Sequence, residues 1–463
     1  MKKKKEIFKP RYYKHIDKIL DIKEVEDKIK DKDFIISHGF YPFLSYTIEF
    51  KKFSEEINET TNHHWKNKER PIKYASHIDR CIYQWYSYNL NTYYNEYCNK
   101  NDLNDSSIAY RTCLKGKTNI DFAAKAIDFI KKCNSCYILV SDFSKFFDFI
   151  SHDKLKANLC KVMNINKLDE DWYKVFRSMT KYSYIERNDV EEFLINNGIE
   201  TEESIKNKNS LFDNISWKEA KKTIGDKINI NKENYGIPQG SPLSGILANV
   251  YMIDFDIKAH NYVKSKNGLY MRYSDDLIMI IPKNEVSSVN DLWGELSIIK
   301  KEYPTLEMNI DKTSGYLYEN NQVISLHKQI DGMKKSGNFI SYLGFSFDGK
   351  YVKFRDKTLT KFFYKLYRKI DSMVLREKYR IKKGRKKHTK IDKHRILKEL
   401  NSSQGENKKF IDYVNRAKKV FPNEYYIVNF RKNIKLKVFE RFEKDNKKLI
   451  VFNLWEWYFK FYN

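Results

Sequence analysis

Three carboxylates lie where an acid is hard to accommodate. Asp142 closes a short β-branched run, Tyr137-Ile-Leu-Val-Ser-Asp142. Asp275 and Asp276 fall between two apolar stretches, Leu269–Tyr273 and Leu277–Ile281, a pattern that predicts a hairpin with Ser274-Asp275-Asp276 at its tip. Adjacent carboxylates at such a tip repel, and something positive must offset that. Mg²⁺ is the natural counter-ion, since hard oxygen ligands hold it while it holds substrate phosphates. In a two-metal site, ions ~3.5–4 Å apart clamp the attacking and leaving oxygens of an in-line phosphoryl displacement. An ordinary acidic β-turn would show the same spacing. A further segment, Tyr235-Gly-Ile-Pro-Gln-Gly-Ser-Pro-Leu-Ser-Gly245, is a Gly/Pro-punctuated loop that runs into a predicted helix, Ile246–Met252. Such a loop brings backbone close to a ligand, and a helix N-terminus favours phosphate. Gln239 within it can hydrogen-bond a nucleotide but cannot titrate.

The elements that must position these residues are legible in outline. Residues 1–66 read as helical and polar, with Ile19, Leu20, Ile22, Val25 and Ile29 at helical spacing and an aromatic stretch over Phe34–Phe50. Ile78, Ile82, Trp85, Tyr86 and Leu90 mark a helix, as do Phe122, Ala123, Ala126, Ile127 and Ile130. A long region, 153–224, is helical and polar. Tyr342–Phe347 alternates as a strand, and Asp348-Gly349 predicts a turn into Tyr351–Phe354. From residue 356 onward Gly and Pro nearly vanish and helical spacing dominates.

Composition bounds the rest. The chain has 463 residues, 87 Lys+Arg against 61 Asp+Glu, and a formal net charge of +26. A surface of that sign fits a polyanion, because phosphate backbones reward Lys and Arg through counterion release. The charge is uneven: Arg376–Arg395 is dense in Lys and Arg, and Lys361-Phe-Phe-Tyr-Lys-Leu-Tyr-Arg368 interleaves bases with rings that could stack on unpaired bases. A solvated basic face is the bland alternative. Aromatics at 15% exclude a disordered chain, and 16 Gly with 8 Pro exclude collagen-like or Gly/Pro-rich disorder. Six Cys make no disulfide framework, and Cys133-Asn-Ser-Cys136 has no second ligand pair for zinc. No apolar run approaches the ~20 residues of a membrane span, and Met1-Lys-Lys-Lys-Lys5 opens no secretory signal. The expectation is a cytoplasmic protein.

Taken in order, Ser141-Asp-Phe-Ser-Lys-Phe-Phe-Asp148, Gly236-Ile-Pro-Gln-Gly-Ser-Pro-Leu-Ser244, Tyr273-Ser-Asp-Asp276, Lys312 and Tyr342-Leu-Gly-Phe345 resemble the palm motifs of a reverse transcriptase. The resemblance spans about residues 70–350 and is strongest to the bacterial branch of group II intron, retron and phage-defence enzymes. It implies an α+β right-hand polymerase: a helical N-terminal extension over 1–66, fingers and an antiparallel palm over 67–355, and a basic α-helical thumb over 356–463. It implies catalytic, metal-holding roles for Asp142, Asp275 and Asp276, helped by the Phe143 carbonyl, with two Mg²⁺ ions (or Mn²⁺) as cofactors. Phe147 falls at the steric gate that excludes a 2′-OH. Gln239 and Arg70 would hold the incoming dNTP, with Arg80 and Arg111 as further arginine candidates, and Lys312 would be a general acid for pyrophosphate. Tyr342, Leu343, Gly344 and Phe345 would form the primer grip. A structural reading competes at several positions: core packing for Phe147, salt bridges for the arginines, an ordinary surface lysine for Lys312.

The sequence departs from its relatives in several places. The acid motif is Tyr-Ser-Asp-Asp rather than Tyr-Ala-Asp-Asp, no retron-type Val-Thr-Gly is present, and neither a maturase region nor an HNH nuclease follows residue 350. Ser37-His-Gly-Phe-Tyr-Pro-Phe43 and Arg70-Pro-Ile-Lys-Tyr-Ala-Ser76 look like the solitary reverse transcriptases of antiviral defence and abortive infection. The expected activity is therefore RNA-directed DNA synthesis from dNTPs, on a dedicated structured noncoding RNA template, in antiphage defence. The expected partners are that RNA, the DNA product and dNTPs, with no membrane; a homo-oligomer stays open. Tyr458 and Tyr462 are conceivable protein primers, against the simpler packing of a C-terminal aromatic tail. Other readings are a retron-type or other reverse transcriptase without a defence role, RNA rather than DNA synthesis, and a non-catalytic RNA-binding scaffold or toxin that keeps a polymerase shape.

Overall fold

A computed structural model describes residues 7–8, 11–58, 63–207, 210–334, 336–384, 406–430, 432–434 and 436–437. The lysines at the start of the chain, residues 385–395 of the basic run, and Tyr458 and Tyr462 lie outside the described residues. The strands in chain order are β1 (Phe43–Asn58), β2 (His63–Tyr74), β3 (Ser135–Ser144), β4 (Ser183–Glu186), β5 (Asn229–Ile230), β6 (Leu269–Tyr273), β7 (Asp276–Pro282), β8 (Glu307–Met308), β9 (Ser314–Glu319), β10 (Gln322–Ser325), β11 (Ile340–Tyr342), β12 (Phe345–Phe347) and β13 (Val352–Phe354). Helices fill most of the intervals, so the chain is mixed α and β. It divides into two compact units, one of residues 1–115, 141–279 and 290–313, the other of 116–140, 280–289 and 314–463.

In the first unit one sheet has the order β2-β1-β4-β5. β1 and β2 form a long antiparallel ribbon from Leu44↔Tyr74 outward, and only Phe43–Ser45 pair with β4, in parallel. This corrects the helical reading of residues 1–66. Helices do occupy Ile22–Lys30 and Lys32–Ser37, but from Phe43 the backbone is extended. The reason is visible in retrospect: Tyr46, Ile48 and Phe50 alternate with Ser45, Thr47 and Glu49, a period of two rather than 3.6. In the same unit β6 pairs with β7, β7 neighbours the end of β3, and β8 pairs with β3 through Phe143↔Met308. Leu277, Ile278 and Met279 of β7 are fully buried, as a central strand covered on both faces requires. The helix Ile253–Lys264 packs on β6, and together with the helix Ser244–Tyr251 it buries Leu247, Ala248, Val250 and Phe255.

The helix His77–Lys100 is tied to the N-terminal segment through one acid. Asp17 Oδ2 accepts the Ile78 N–H at 3.0 Å and Asp17 Oδ1 meets His77 Nδ1 at 2.8 Å, while Ser76 Oγ caps the same helix by accepting from the Asp79 N–H. Burial by itself would raise the Asp17 carboxyl, but the hydrogen bonds and charges of His15 and His77 outweigh it and hold the group well below the usual carboxylate range.

In the second unit the first part of β3 pairs with β9, from Ser135↔Glu319 to Val140↔Ser314, and β9 pairs with β10. A separate sheet, β11-β12-β13, packs through rings on the helix Glu406–Val420 and on residues that follow it: Phe345 lies 6.1 Å from Tyr413 of the helix and 5.0 Å from Phe421, and Phe354 lies 5.0 Å from Phe430. Among the described residues no helix is long and apolar enough to cross a membrane, and all six cysteines are free.

Asp17→Asn should lower unfolding free energy by about 1–3 kcal/mol, the cost of weakening hydrogen bonds to a buried charged group. Because the folded-state pKa is depressed, the contribution of Asp17 is complete above its unfolded value of about 4 and fades as pH falls toward the folded one. Urea titrations of the two proteins should differ at pH 7 and converge as the pH drops below about 4.

Candidate active site

β3 delivers Asp142 and the β6–β7 turn delivers Asp275; β7 neighbours β3 in the sheet, and the two carboxyls interact. The turn is tight: Ser274 takes a left-handed φ of +60° and Asp276 is already the first residue of β7. Ser274-Asp275 is therefore the tip, one residue shorter than the sequence pattern suggests. Asp142 is buried, 8% exposed. Its carbonyl accepts the Asn309 N–H at 2.8 Å, and its neighbour Ser141 shares a 2.8 Å hydroxyl contact with Thr313. One carboxylate oxygen, Oδ2, ion-pairs with the Lys312 ammonium. The other, Oδ1, is buried with no protein donor; the Asp275 carboxyl beside it could donate only when it carries a proton. Burial pushes the Asp275 carboxyl above its ordinary range, and the Asp142 charge and a hydrogen bond between the two acids push the same way, with Lys312 partly opposing them.

That arrangement fits a hard divalent cation: two carboxylates face each other and a buried oxygen lacks a donor. Asp276 is exposed, and among the described residues no group of three or more His, Cys, Asp or Glu is arranged to hold a metal. Phe143 is paired opposite Met308, and its ring is buried against Phe146 and Phe255 at 5.7 Å each.

The Gly/Pro loop docks on the segment that follows β3. Ile237 N–H donates to Phe147 O at 2.9 Å, Gly236 N–H donates to Ile150 O at 2.8 Å, and His152 Nε2 donates to Gly236 O at 2.8 Å. Gly236 has φ +90°, and a Cβ there would stand 2.9 Å from Asp148 O. The far end of the loop docks on β2: Lys73 N–H donates to Gln239 O at 2.9 Å, and a Cβ on Gly240 (φ +125°) would stand 2.6 Å from Lys73 O. Only glycine permits either approach. The loop thus joins the half-buried Phe147 ring to the strand that carries Arg70. Arg70 is exposed, opposite Ile48 in the ribbon. The other two arginines are buried. Arg80 is buried and hydrogen-bonded to Gln84, and Arg111 spends its guanidinium on the carbonyls of Asn104 and Ser107 and on the side chains of Asn95 and Asn104.

The Tyr342–Phe345 segment, in the second unit, is a two-residue hairpin turn in which Leu343 (φ +45°) and Gly344 (φ +95°) are both left-handed. Asn119 Nδ2 donates to Leu343 O at 2.8 Å, and the Tyr413 hydroxyl lies 3.1 Å from where a Gly344 Cβ would be.

The residue that the sequence pattern missed is Arg272. It is fully buried and forked onto Asp256, with Nε to Oδ1 at 2.8 Å and Nη2 to Oδ2 at 2.6 Å, while Tyr270 OH also donates to Asp256. Its Nη1 reaches the Ser274 carbonyl at 2.8 Å and so braces the acid turn from inside. The signal was there: Tyr270 and Arg272 share a face of β6, and a charge on a core-facing strand position demands a buried partner. Arg272→Met should cost about 3–5 kcal/mol, because it strands Asp256 without its counter-charge. Denaturant unfolding should report that loss, and the variant should lose far more stability than Arg70→Met, whose side chain is exposed.

No protein-family profile matches the sequence, and no curated protein matches it. Solved structures of telomerase are similar to it at low identity. The apo telomerase of Candida tropicalis truncated from its C-terminal domain is 14% identical over 63% of this chain and 53% of that one, with a TM-score of 0.39. The telomerase of Candida albicans in complex with a TWJ fragment of telomeric RNA is 12% identical over 92% of this chain and 66% of that one, also at 0.39. The chain spans about half the length of the apo telomerase structures, 53% and 47%.

Proposed function

We propose that the chain is an RNA-directed DNA polymerase with a right-hand architecture, acting by metal-assisted phosphoryl transfer. The observation that carries the reading is the meeting of Asp142 and Asp275 around a buried carboxylate oxygen to which only a protonated Asp275 could donate. A scaffold without chemistry has no need to hold two like charges together at the cost of their hydration. The ordered motifs of the sequence supply the rest of the reading, including its biological setting: a dedicated structured RNA and antiphage defence.

In this reading Asp142 and Asp275, with Asp276 and the Phe143 carbonyl, would hold two Mg²⁺ ions. Bound there, the ions would lower the pKa of the attacking hydroxyl and neutralise charge on the phosphates. The primer 3′-hydroxyl gives its proton to water, its oxygen forms a bond to the α-phosphorus of a dNTP, and the bond from that phosphorus to the pyrophosphate oxygen breaks. Lys312 donates a proton to the departing pyrophosphate. Arg70 pairs with the triphosphate and Gln239 hydrogen-bonds the nucleotide. Phe147, backed by the Phe146 ring at 5.5 Å, occupies the space a 2′-OH would need. Tyr342–Phe345 position the primer strand, and the bases and rings of the helix Asp356–Lys382 track the duplex.

Two measurements test this. Given a primed RNA template, dNTPs and Mg²⁺, the wild-type chain should extend the primer, EDTA should stop it, and Asp275→Asn should fall to the level of a protein-free control. Extension by a folded Asp275→Asn protein would rule the mechanism out. Phe147→Ala should raise incorporation of NTPs relative to dNTPs by at least about tenfold, the effect of losing roughly 1.4 kcal/mol of steric exclusion; unchanged sugar selectivity would remove Phe147 from the gate.

A further inference from the structure

Tyr110 is a residue the mechanism does not use, and its geometry is unusual in three ways. It is a non-glycine residue in the left-handed region, φ +59°. An aromatic L-residue there carries a backbone penalty of roughly 1–2 kcal/mol, and such strain persists only where the surroundings over-determine it. They do so here. The Ala109 carbonyl on one side accepts from Asn249 Nδ2 at 2.7 Å, and the Arg111 guanidinium on the other is locked onto Asn104 and Ser107. Ile108 N–H donates to Arg272 O at 3.1 Å, so the segment is fastened to β6 beside the acid turn.

The ring is also seated on a glycine. A Cβ built on Gly245 would lie 2.8, 2.8 and 3.0 Å from Cδ1, Cγ and Cδ2 of Tyr110. Near-equal distances to those three atoms place Gly245 against the face of the ring rather than its edge. The hydroxyl end is fixed as well, donating to Ser274 Oγ at 3.2 Å. Yet the residue is 48% exposed. A large ring with one face packed on backbone, its far end tethered to the acid turn and its other face open is not buried for stability. It offers a flat π-surface at a fixed height next to Asp275.

We propose that the open face of Tyr110 is a stacking platform for one unpaired nucleobase of the bound RNA, held beside the Ser274-Asp275 turn. The inference rests on the polymerase reading and deepens it. Every base has a π-face, so the platform is tolerant of sequence. The hydroxyl contact to Ser274 sets the height of the base relative to the acids, which makes Tyr110 a positioning residue.

The test uses the full-length chain, EDTA, no dNTP, and single-stranded RNA with one 2-aminopurine moved along it. Wild type should quench the fluorophore at one position. Tyr110→Asn is the informative variant, because asparagine tolerates the left-handed backbone and so should fold with a thermal midpoint no lower than wild type. It should lose the quench and bind RNA about tenfold more weakly, in line with the loss of one base–aromatic stack. Tyr110→Phe should keep the quench, and Gly245→Ala, which drives a Cβ into the ring, should lose it. A folded Tyr110→Asn protein that quenches and binds like wild type would overturn the platform while leaving primer extension, and the polymerase reading, intact. Failure of the wild-type protein to bind RNA at all would sink both.

Discussion

Two like charges pressed together govern the first unit. Asp142 and Asp275 come from segments far apart in sequence, and neither would choose the other's company: burial and mutual repulsion both raise the Asp275 carboxyl. A protein can hold such a pair only by fixing the backbone of each acid from behind. Around Asp142 that is the contact of its carbonyl with Asn309, the Ser141–Thr313 hydroxyl pair and the pairing of β3 with β8. Around Asp275 it is the Arg272 fork.

The Arg272–Asp256 pair sits in the interior with every strong donor occupied. Its guanidinium contacts Asp256, the Ser274 carbonyl, Asn249 and Ser107, and Asn249 in turn holds the Ala109 carbonyl. One planar group thereby connects a helix, a strand, the acid turn and the segment before Tyr110. Lysine could not replace it, since a single ammonium cannot reach acceptors on several sides in one plane. Buried ion pairs contribute little net stability when intact. The value of this one is geometric: it determines where the turn points.

Much of the site was readable in the sequence because its parts are local. A carboxylate at the end of a β-branched run, an acid pair between apolar strands and a loop punctuated by Gly236 and Gly240 each announce themselves within a dozen residues. What was not readable depended on partners chosen in three dimensions. Arg111 has the appearance of a phosphate-binding cation but spends its donors on nearby carbonyls. Arg272 required a buried acid, and nothing in a chain with 61 Asp and Glu residues says that Asp256 is the one. The β1–β2 ribbon was hidden by scattered charges that blur a two-residue period, and a helical reading of 43–66 followed.

The run Leu277-Ile-Met-Ile-Ile281 is fully buried in the folded chain. Before folding it is the kind of short, uncharged, β-prone segment that pairs with copies of itself. Its ends are guarded: Asp275 and Asp276 precede it, and Pro282 and Lys283 follow it. Charges and prolines in those places act as gatekeepers against aggregation. The same carboxylates that crowd the folded site thus protect the nascent chain, and stripping both to alanine would leave Tyr273 to Ile281 without a single charge. Poor solubility in such a protein would reflect the lost gatekeepers, and replacing one acid at a time leaves one of the two charges in place.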